Sequence, residues 1–524
     1  LGRKPKLWID TMSMARPLHL KTIGVSLATL AKHYKLGEKG FAVVEAKGKR
    51  RNDFSPQQMA AYGVYCCNDI ELTYQLFKIL SESTSANEMQ VIDLTIRMFT
   101  EPKFRLNRQT LDVYLREVVD NKERLIAEAN QQNRDAFMGG DSFAALLIAE
   151  GVEPPTKWSE KQKKEIYAFA KTDKGMKDLL SHDNPRVQAL AACRLGVKTT
   201  IEETRAQRFI NIAERGPLPA MLNYWGAGTG RFSGGDKINL QNLKRGGKLR
   251  EALEAPAGHR VIASDLSQIE SRVLALVAGQ DDLVIAFAEG RDAYCEFGAD
   301  VYGRIITKDD KLERFVSKTC VLGLGFYTGA KKLKETLRIG QGGISAIIPI
   351  EEAERIVKLY RKKNSKIVQF WRTCGNALDH MVIGGSGYIS QEFNIRYEGE
   401  NVILPNGAVL CYPKLQSYLN EETGQREMRY LFKNKWTKIY SGLLCENIIQ
   451  ALARGVICEY LVTIGEKYGV ALQVHDEIVS VVLASVVVEA KEFIEKTMSI
   501  PVSWLPGLPV ACEVKDGPNY GSAK

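Results

Sequence analysis

Val261-Ile262-Ala263-Ser264-Asp265-Leu266-Ser267-Gln268-Ile269-Glu270-Ser271-Arg272 is the stretch that decides how this chain is read. Its front is short, apolar and β-branched, which marks a strand. Its back places apolar residues at helical spacing as far as Ala278. Asp265 falls just past the strand and just before a helix that starts near Ser267. Rigid backbone on both sides holds a carboxylate in one place, which suits a metal ligand. The plainer reading is that Asp265 or Ser267 caps the helix, and for a lone aspartate that reading would win.

A second carboxylate changes the balance. Val470 to Val482 reads as two apolar strands around His475-Asp476-Glu477. Aspartate is common in tight turns, so Asp476 alone would also be discounted. If the two strands pair, both aspartates arrive on one sheet. Carboxylates so placed can bind two Mg²⁺ ions about 3.5–4 Å apart. One ion lowers the pKa of an attacking hydroxyl, and the other stabilises charge on a leaving pyrophosphate. The balancing positive charge lies between them. Arg314, Lys318 and Leu322 are four apart and share a helix face, offering a guanidinium fork, an ammonium and an apolar platform. Residues 301–340 carry nine Lys/Arg against four acids, which a solvated basic helix would also explain. Gly323 and Gly325 weaken the helix just beyond.

The rest of the chain bounds the answer. It has 524 residues, enough for three or four folding units at about 150 each. Hydrophobic residues are 45% and charged residues 26%, which excludes collagen, coiled-coil and wholly disordered readings. The most apolar run, Ile478 to Val488, is 11 residues, well short of the roughly 20 that span a membrane. Ten cysteines form no CxxC pair and read as reduced thiols of a cytosolic protein. The net charge of +10 fits a polyanionic partner or a merely basic surface. Residues 221–250 concentrate it, with six Lys/Arg (Arg231, Lys237, Lys244, Arg245, Lys248, Arg250) against Asp236. Lys161, Lys163, Lys164, Lys171, Lys174 and Lys177 crowd another part, where a solvated helix face is favoured over a phosphate contact. The chain opens at Leu1 without a Met, which reads as a fragment.

Together these residues resemble a known family. Ser264 to Arg272 (SDLSQIESR) is similar to motif A of the family A DNA polymerases, the group of bacterial DNA polymerase I and many bacteriophage enzymes. Arg314 to Tyr327 (RFVSKTCVLGLGFY) resembles motif B on the fingers helix, in wording closer to phage members. Gln473 to Glu477 resembles motif C. Thr229 to Ser233, followed by Asn239 to Asn242, is similar to the duplex-binding segment. Four motifs in the family's order make coincidence remote.

The resemblance implies a mixed α/β (α+β) fold, a right-hand polymerase with palm, fingers and thumb. A truncated RNase H-like 3′–5′ exonuclease domain would span 1–85 and a mainly helical thumb 88–205. The palm would be split between 206–280 and 375–524, with fingers at 281–374. Asp265 and Asp476 would be the catalytic pair on two Mg²⁺, with Mn²⁺ a substitute. Arg314 and Lys318 would hold the phosphates of the incoming nucleotide, and Lys318 would protonate the pyrophosphate. Glu270 would be the gate against a ribose 2′-hydroxyl, with Gln268 and His475 positioning nucleotide and primer end. Arg231, Asn239, Gln241, Asn242 and Glu477 would serve the primer–template duplex.

Two departures stand out. Leu322 takes the place where many relatives have Phe or Tyr facing the sugar. Where the family has Tyr-Gly, this chain has Phe326-Tyr327, so either Phe326 or a shifted Tyr327 meets the templating pair. Before motif C, Glu446, Gln450 and Arg454 share a helix face, as a DNA-facing or a solvated stripe. Tyr65-Cys66-Cys67-Asn68-Asp69 fits the third exonuclease motif, with Tyr65 and Asp69 on one face. The first two exonuclease motifs have no counterpart and would lie upstream of Leu1, so no proofreading is expected.

The implied partners are primer–template DNA and dNTPs. The implied setting is a monomer in the cytoplasm of a bacterial host, replicating a phage genome, with any processivity factor unidentified. The rivals are a single-subunit phage-type RNA polymerase, disfavoured by Glu270, and a catalytically inactive DNA-binding relative.

Overall fold

The computed structural model describes residues 5–523 except 132–133, 160–161, 237, 342 and 422, so Leu1, Lys161 and Lys237 lie outside the described residues. The stretch around Asp265 forms the centre of a four-stranded antiparallel sheet. Strand β1 (His259–Leu266) lies between β3 (Glu477–Leu483) and β4 (Cys512–Gly517), and β2 (Leu472–Val474) pairs with the outer side of β3. Val261, Ile262 and Ala263 are all buried because a central strand is covered by its neighbours and by packing on its faces. The register sets Asp265 opposite Glu477 on one side and Glu513 on the other. Three carboxylates therefore stand in one row on one face of the sheet.

The helix Val487–Thr497 packs on that sheet, and five further helices build the surroundings of the site. They are α1 (Ala86–Thr100), α2 (Ile269–Ala278), α3 (Lys311–Leu324), α4 (Ser365–Val382) and α5 (Ser441–Tyr468). Helix α2 starts at Ile269, two residues later than the sequence suggests, and neither Asp265 nor Ser267 caps it. Instead Gln268 enters the left-handed region at φ +55°, and Ser267 is held by its backbone: its N–H donates to Ala511 O at 2.8 Å. Its carbonyl accepts from Arg272 Nε at 2.7 Å, and buried Arg272 also donates to the carbonyls of Phe287 and Pro509. One arginine thus braces the strand-to-helix corner.

Helix α5 is apolar almost all round and packs on α1, α2, α4 and β3. Among the described residues it alone is long and apolar enough to cross a membrane, and 78% of its apolar window is buried inside the protein. It is a core helix, longer than the 11-residue run that the sequence singles out because small and polar residues interrupt it.

Three expectations are corrected. Residues 5–85 form helices without strands among the described residues, so this part is not α/β; its longest helix, Pro56–Ser81, buries Leu72, Leu76 and Leu80 along one line. The lysine-rich run is not one helix face. Lys164 opens the second strand of a hairpin (Thr156–Ser159 with Lys164–Tyr167), and Lys174 and Lys177 lie on a short helix, Lys174–Leu180. This tip has its own core, including Phe137, Phe143, Leu147 and Phe169, at the end of the packed pair Arg108–Glu128 and Ile201–Ala213. The basic stretch from 311 to 340 is two helices, because α3 ends at Leu324 and the next runs Ala330–Ile339. Between α4 and α5 stand a four-stranded meander from Ser386 to Cys411 and a three-stranded one from Gln416 to Ile439.

Candidate active site

The two aspartates meet through backbone. His475 and Asp476 form the two-residue turn between β2 and β3, with His475 at φ +55°. The Asp476 carbonyl accepts from Leu266 N–H at 3.0 Å, which ties the turn to the end of β1 beside Asp265. Burial, and then the charge of Asp265, raise the Asp476 carboxyl to about 6. The Asp265 carboxylate is part-exposed, and Arg245, a side chain the sequence left in a basic run, reaches it at 3.4 Å. A carboxyl whose ionisation is made costlier by burial and by a second carboxylate beside it belongs to a donor set that fits hard divalent cations. Among the described residues no group of three or more His, Cys, Asp or Glu side chains is arranged to hold a metal.

That raised carboxyl has a sign. Asp476 prefers its neutral form in the metal-free fold, so its contribution to stability is full below about pH 4 and is lost as pH rises through about 6. Asp476→Asn is therefore expected to stabilise the EDTA-treated protein at pH 8 by about 2 kcal/mol, and not at pH 4. Thermal melts at the two pH values check this. Equal melting temperatures for variant and wild type at pH 8 would remove the electrostatic account.

Around the pair, charges are already matched. Arg231 forms an ion pair with Glu270, so the expected duplex contact and the expected gate hold one another. Burial lowers the Arg231 pKa, while Asp476 and Glu446 act in the opposite sense. On α3, Arg314 donates through Nε and Nη2 to Asp292 Oδ2 at 3.2 and 2.9 Å. Asp292 also accepts from the N–H groups of Tyr294 and Cys295 and so caps their helix. The Tyr294 phenol, pushed up to about 12 mainly by burial, senses the charges of Asp292 and Asp476. Asp292 and Tyr294 were missed in the sequence, where nothing local sets them apart. Lys318 is exposed, and no ion pair holds it among the described residues; Leu322, on the same face, is 38% exposed.

Other site residues fall in different places. Gln268 Oε1 and Asn239 Oδ1 are buried without a partner among the described residues. Asn242 and His475 are exposed. Gln241 is buried and donates to the carbonyl and the side-chain oxygen of Gln473, each at 3.4 Å. Glu477 is buried to 1% and accepts from Tyr520 Oη at 3.2 Å. Neither Gln241, buried on the short helix Leu240–Asn242 against β2, nor Glu477, buried within the paired strands, is accessible to a duplex. Phe326 packs half-buried against the core. Tyr327 stands at φ +70°, a conformation that favours glycine, and its ring lies 5.2 Å from Trp371. Tyr327 thus takes the backbone geometry that Gly would fill in a Tyr-Gly pair.

The stripe on α5 is neither solvated nor DNA-facing throughout. Gln450 donates to Glu446 at 3.0 Å, but Arg454 is buried and paired with Glu88 of α1. At the front of the chain, Lys39 donates to Tyr65 Oη and to Asp69 Oδ2, the latter at 2.7 Å. The face shared by Tyr65 and Asp69 is therefore filled by an ammonium.

A split sheet that offers two aspartates beside a helix bearing Arg314 and Lys318 has the plan of a right-hand nucleic-acid polymerase. The sequence model of DNA polymerase family A matches residues 119–382. The chain is 24% identical over 562 residues to the DNA polymerase of Bacillus phage SP02, covering 96% of this chain and 83% of that one. It is 33% identical over 156 residues to the thermostable DNA polymerase I of Thermus aquaticus, 29% of this chain and 18% of the relative. In fold it is similar to the POL domain of Pol1 from M. smegmatis, solved in complex with DNA primer-template and dNTP. The TM-score is 0.68 at 18% identity, over 98% of this chain and 82% of the other. The chain belongs to DNA polymerase family A and is a DNA-directed DNA polymerase, a nucleotidyltransferase.

Proposed function

We propose that this chain extends a primer 3′-hydroxyl with deoxynucleotides on a DNA template, using Asp265 and Asp476 as the ligands of two divalent cations, Mg²⁺ or in its place Mn²⁺. The observation that carries the proposal is the meeting of these two carboxylates, from segments 211 residues apart (476 − 265 = 211), closely enough that one raises the pKa of the other. When bound, such ions lower the pKa of the attacking hydroxyl and offset charge on the leaving pyrophosphate. Oxygens of substrate phosphates would add to these two carboxylates as ligands.

The chain's own groups supply position and charge. Arg314 exchanges part of its hold on Asp292 for a triphosphate oxygen, to which its fork is matched. Lys318 binds the same phosphates and delivers a proton to the departing pyrophosphate. Glu270, steadied by Arg231, stands against a 2′-hydroxyl. Gln268, with an unsatisfied buried oxygen, and exposed His475 position nucleotide and primer end. Arg231, Asn239 and Asn242 face the duplex, while Gln241 and Glu477 act from behind by fixing the turn that carries Asp476. The division into thumb, split palm and inserted fingers follows the motif order. A bacterial-virus relative supports a role in phage genome replication inside a bacterial host.

Two results test the reading. Glu270→Ala is expected to raise ribonucleotide use relative to deoxynucleotide use by about ten- to a hundredfold, read as a ratio of kcat/KM. An unchanged ratio would move the gate elsewhere. The purified 524-residue chain is expected to show no Mg²⁺-dependent 3′-trimming, since Lys39 fills the face of Tyr65 and Asp69. Trimming of a labelled primer would overturn that.

A further inference from the structure

A groove of about 610 Å³ opens where motif B ends. Tyr327, Tyr440, Asp379 of α4, and Glu427 and Lys438 of the three-stranded meander line it. Strand alternation puts Tyr418, Glu427, Arg429, Trp436 and Lys438 on one face of that meander. The opposite face carries Tyr430 and Ile439, both buried. The outer face is built for flat partners. The Arg429 guanidinium lies 4.4 Å from the Tyr418 ring centre and 4.5 Å from that of Trp436. Trp436 is 44% exposed and Tyr440 43%. The acid on this face, Glu427, is already matched by Lys438 at 2.5 Å and by Tyr418 Oη at 2.8 Å.

We propose that this face carries the single-stranded template ahead of the primer end. The proposal rests on the polymerase reading, because it extends the template path away from α3. Every base has a π-face, so stacking on aromatic rings and on an arginine plane tolerates any sequence, as a template track must. On this face Arg429 and Lys438 stand against Glu427, and Lys433 lies at the turn beyond them, a balance that suits phosphates rather than an acidic or apolar protein segment. The face meets the groove at Glu427, Lys438 and Tyr440, and the groove reaches the site at Tyr327, three residues past the end of α3. Four residues of strand separate Tyr440 from Trp436, about 13 Å, so the track takes only a few nucleotides.

The test is binding of the full chain to primer–templates whose 5′ template overhang is short (about two nucleotides) or long (about ten). Wild type is expected to bind the long overhang about tenfold more tightly. Trp436→Ala and Arg429→Ala each lose most of that gain, and Trp436→Phe keeps it. All variants extend the short-overhang substrate at the wild-type rate, which shows that they are folded. A wild type indifferent to overhang length, or a gain that survives both alanine variants, overturns the proposal. Failure of wild type to extend even the short substrate would instead sink the polymerase reading and this track with it.

Discussion

Asp265→Ala is expected to lower the rate of templated primer extension by at least about a thousandfold, equal to about 4 kcal/mol of transition-state stabilisation. Binding of primer–template should change by less than about threefold, because the expected duplex contacts come from other segments. Asp265 sits at the end of a buried central strand, tied by backbone to the Asp476 turn, so its carboxylate is held beside that of Asp476. Glu477 and Glu513 stand opposite it in register, yet Glu477 is enclosed and bonded to Tyr520, and Glu513 is paired with Lys515 at 2.6 Å. Removing Asp265 also frees Arg245, which leaves a cation where a cation ligand stood. Single-turnover extension together with equilibrium DNA binding reads both quantities. A variant that still extends within tenfold of wild type would end the assignment of the pair.

What the sequence made legible was what is local. The strand-turn-strand pattern around Asp476 and the strand-to-helix change after Asp265 are both written in periods of two and 3.6, and the structure has strands and helix there. Which residues those carboxylates face was not legible. Asp292 reaches Arg314 across 22 residues, Arg245 reaches Asp265 across 20, and no short window connects them. The lysine-rich run misled for a related reason: charge counts say a segment is solvated but not whether a hairpin or a helix solvates it. Gln241 and Glu477 belong to motif-like runs, yet both are buried by distant partners: Gln241, on the short helix Leu240–Asn242, bonds to Gln473, and Glu477 bonds to Tyr520.

The stripe on α5 gives the sharpest case and the second large effect. Helical spacing puts Glu446, Gln450 and Arg454 in line, but Glu88, which decides the environment of Arg454, lies 366 residues earlier. Arg454 is 3% exposed, and its two terminal nitrogens meet both oxygens of Glu88. Tyr224 Oη donates to Glu88 at 2.6 Å. The guanidinium also lies 5.3 Å from the Tyr224 ring centre and 4.9 Å from that of Trp225. Burial pushes the Glu88 carboxyl up, but Arg454 and the hydrogen bonds more than offset it, and its pKa is lowered. The stability this gives is present above the usual carboxyl range and is lost as pH falls through it. Glu88→Gln leaves a buried guanidinium without its counter-charge and is expected to cost about 3–5 kcal/mol. Arg454→Lys should also be costly, since one ammonium cannot reproduce the fork. Replacing both partners, Glu88→Leu with Arg454→Met, removes the two charges together and is expected to be much less damaging than Glu88→Gln alone. Urea denaturation of the three variants measures these differences. The pair also clamps α1 and α5 against the segment from Tyr224 to Phe232, which holds Arg231, so Glu88→Gln should weaken primer–template binding well below its unfolding midpoint. A double variant less stable than Glu88→Gln would show that Arg454 acts by packing its stem and plane against the aromatic rings, with the ion pair secondary.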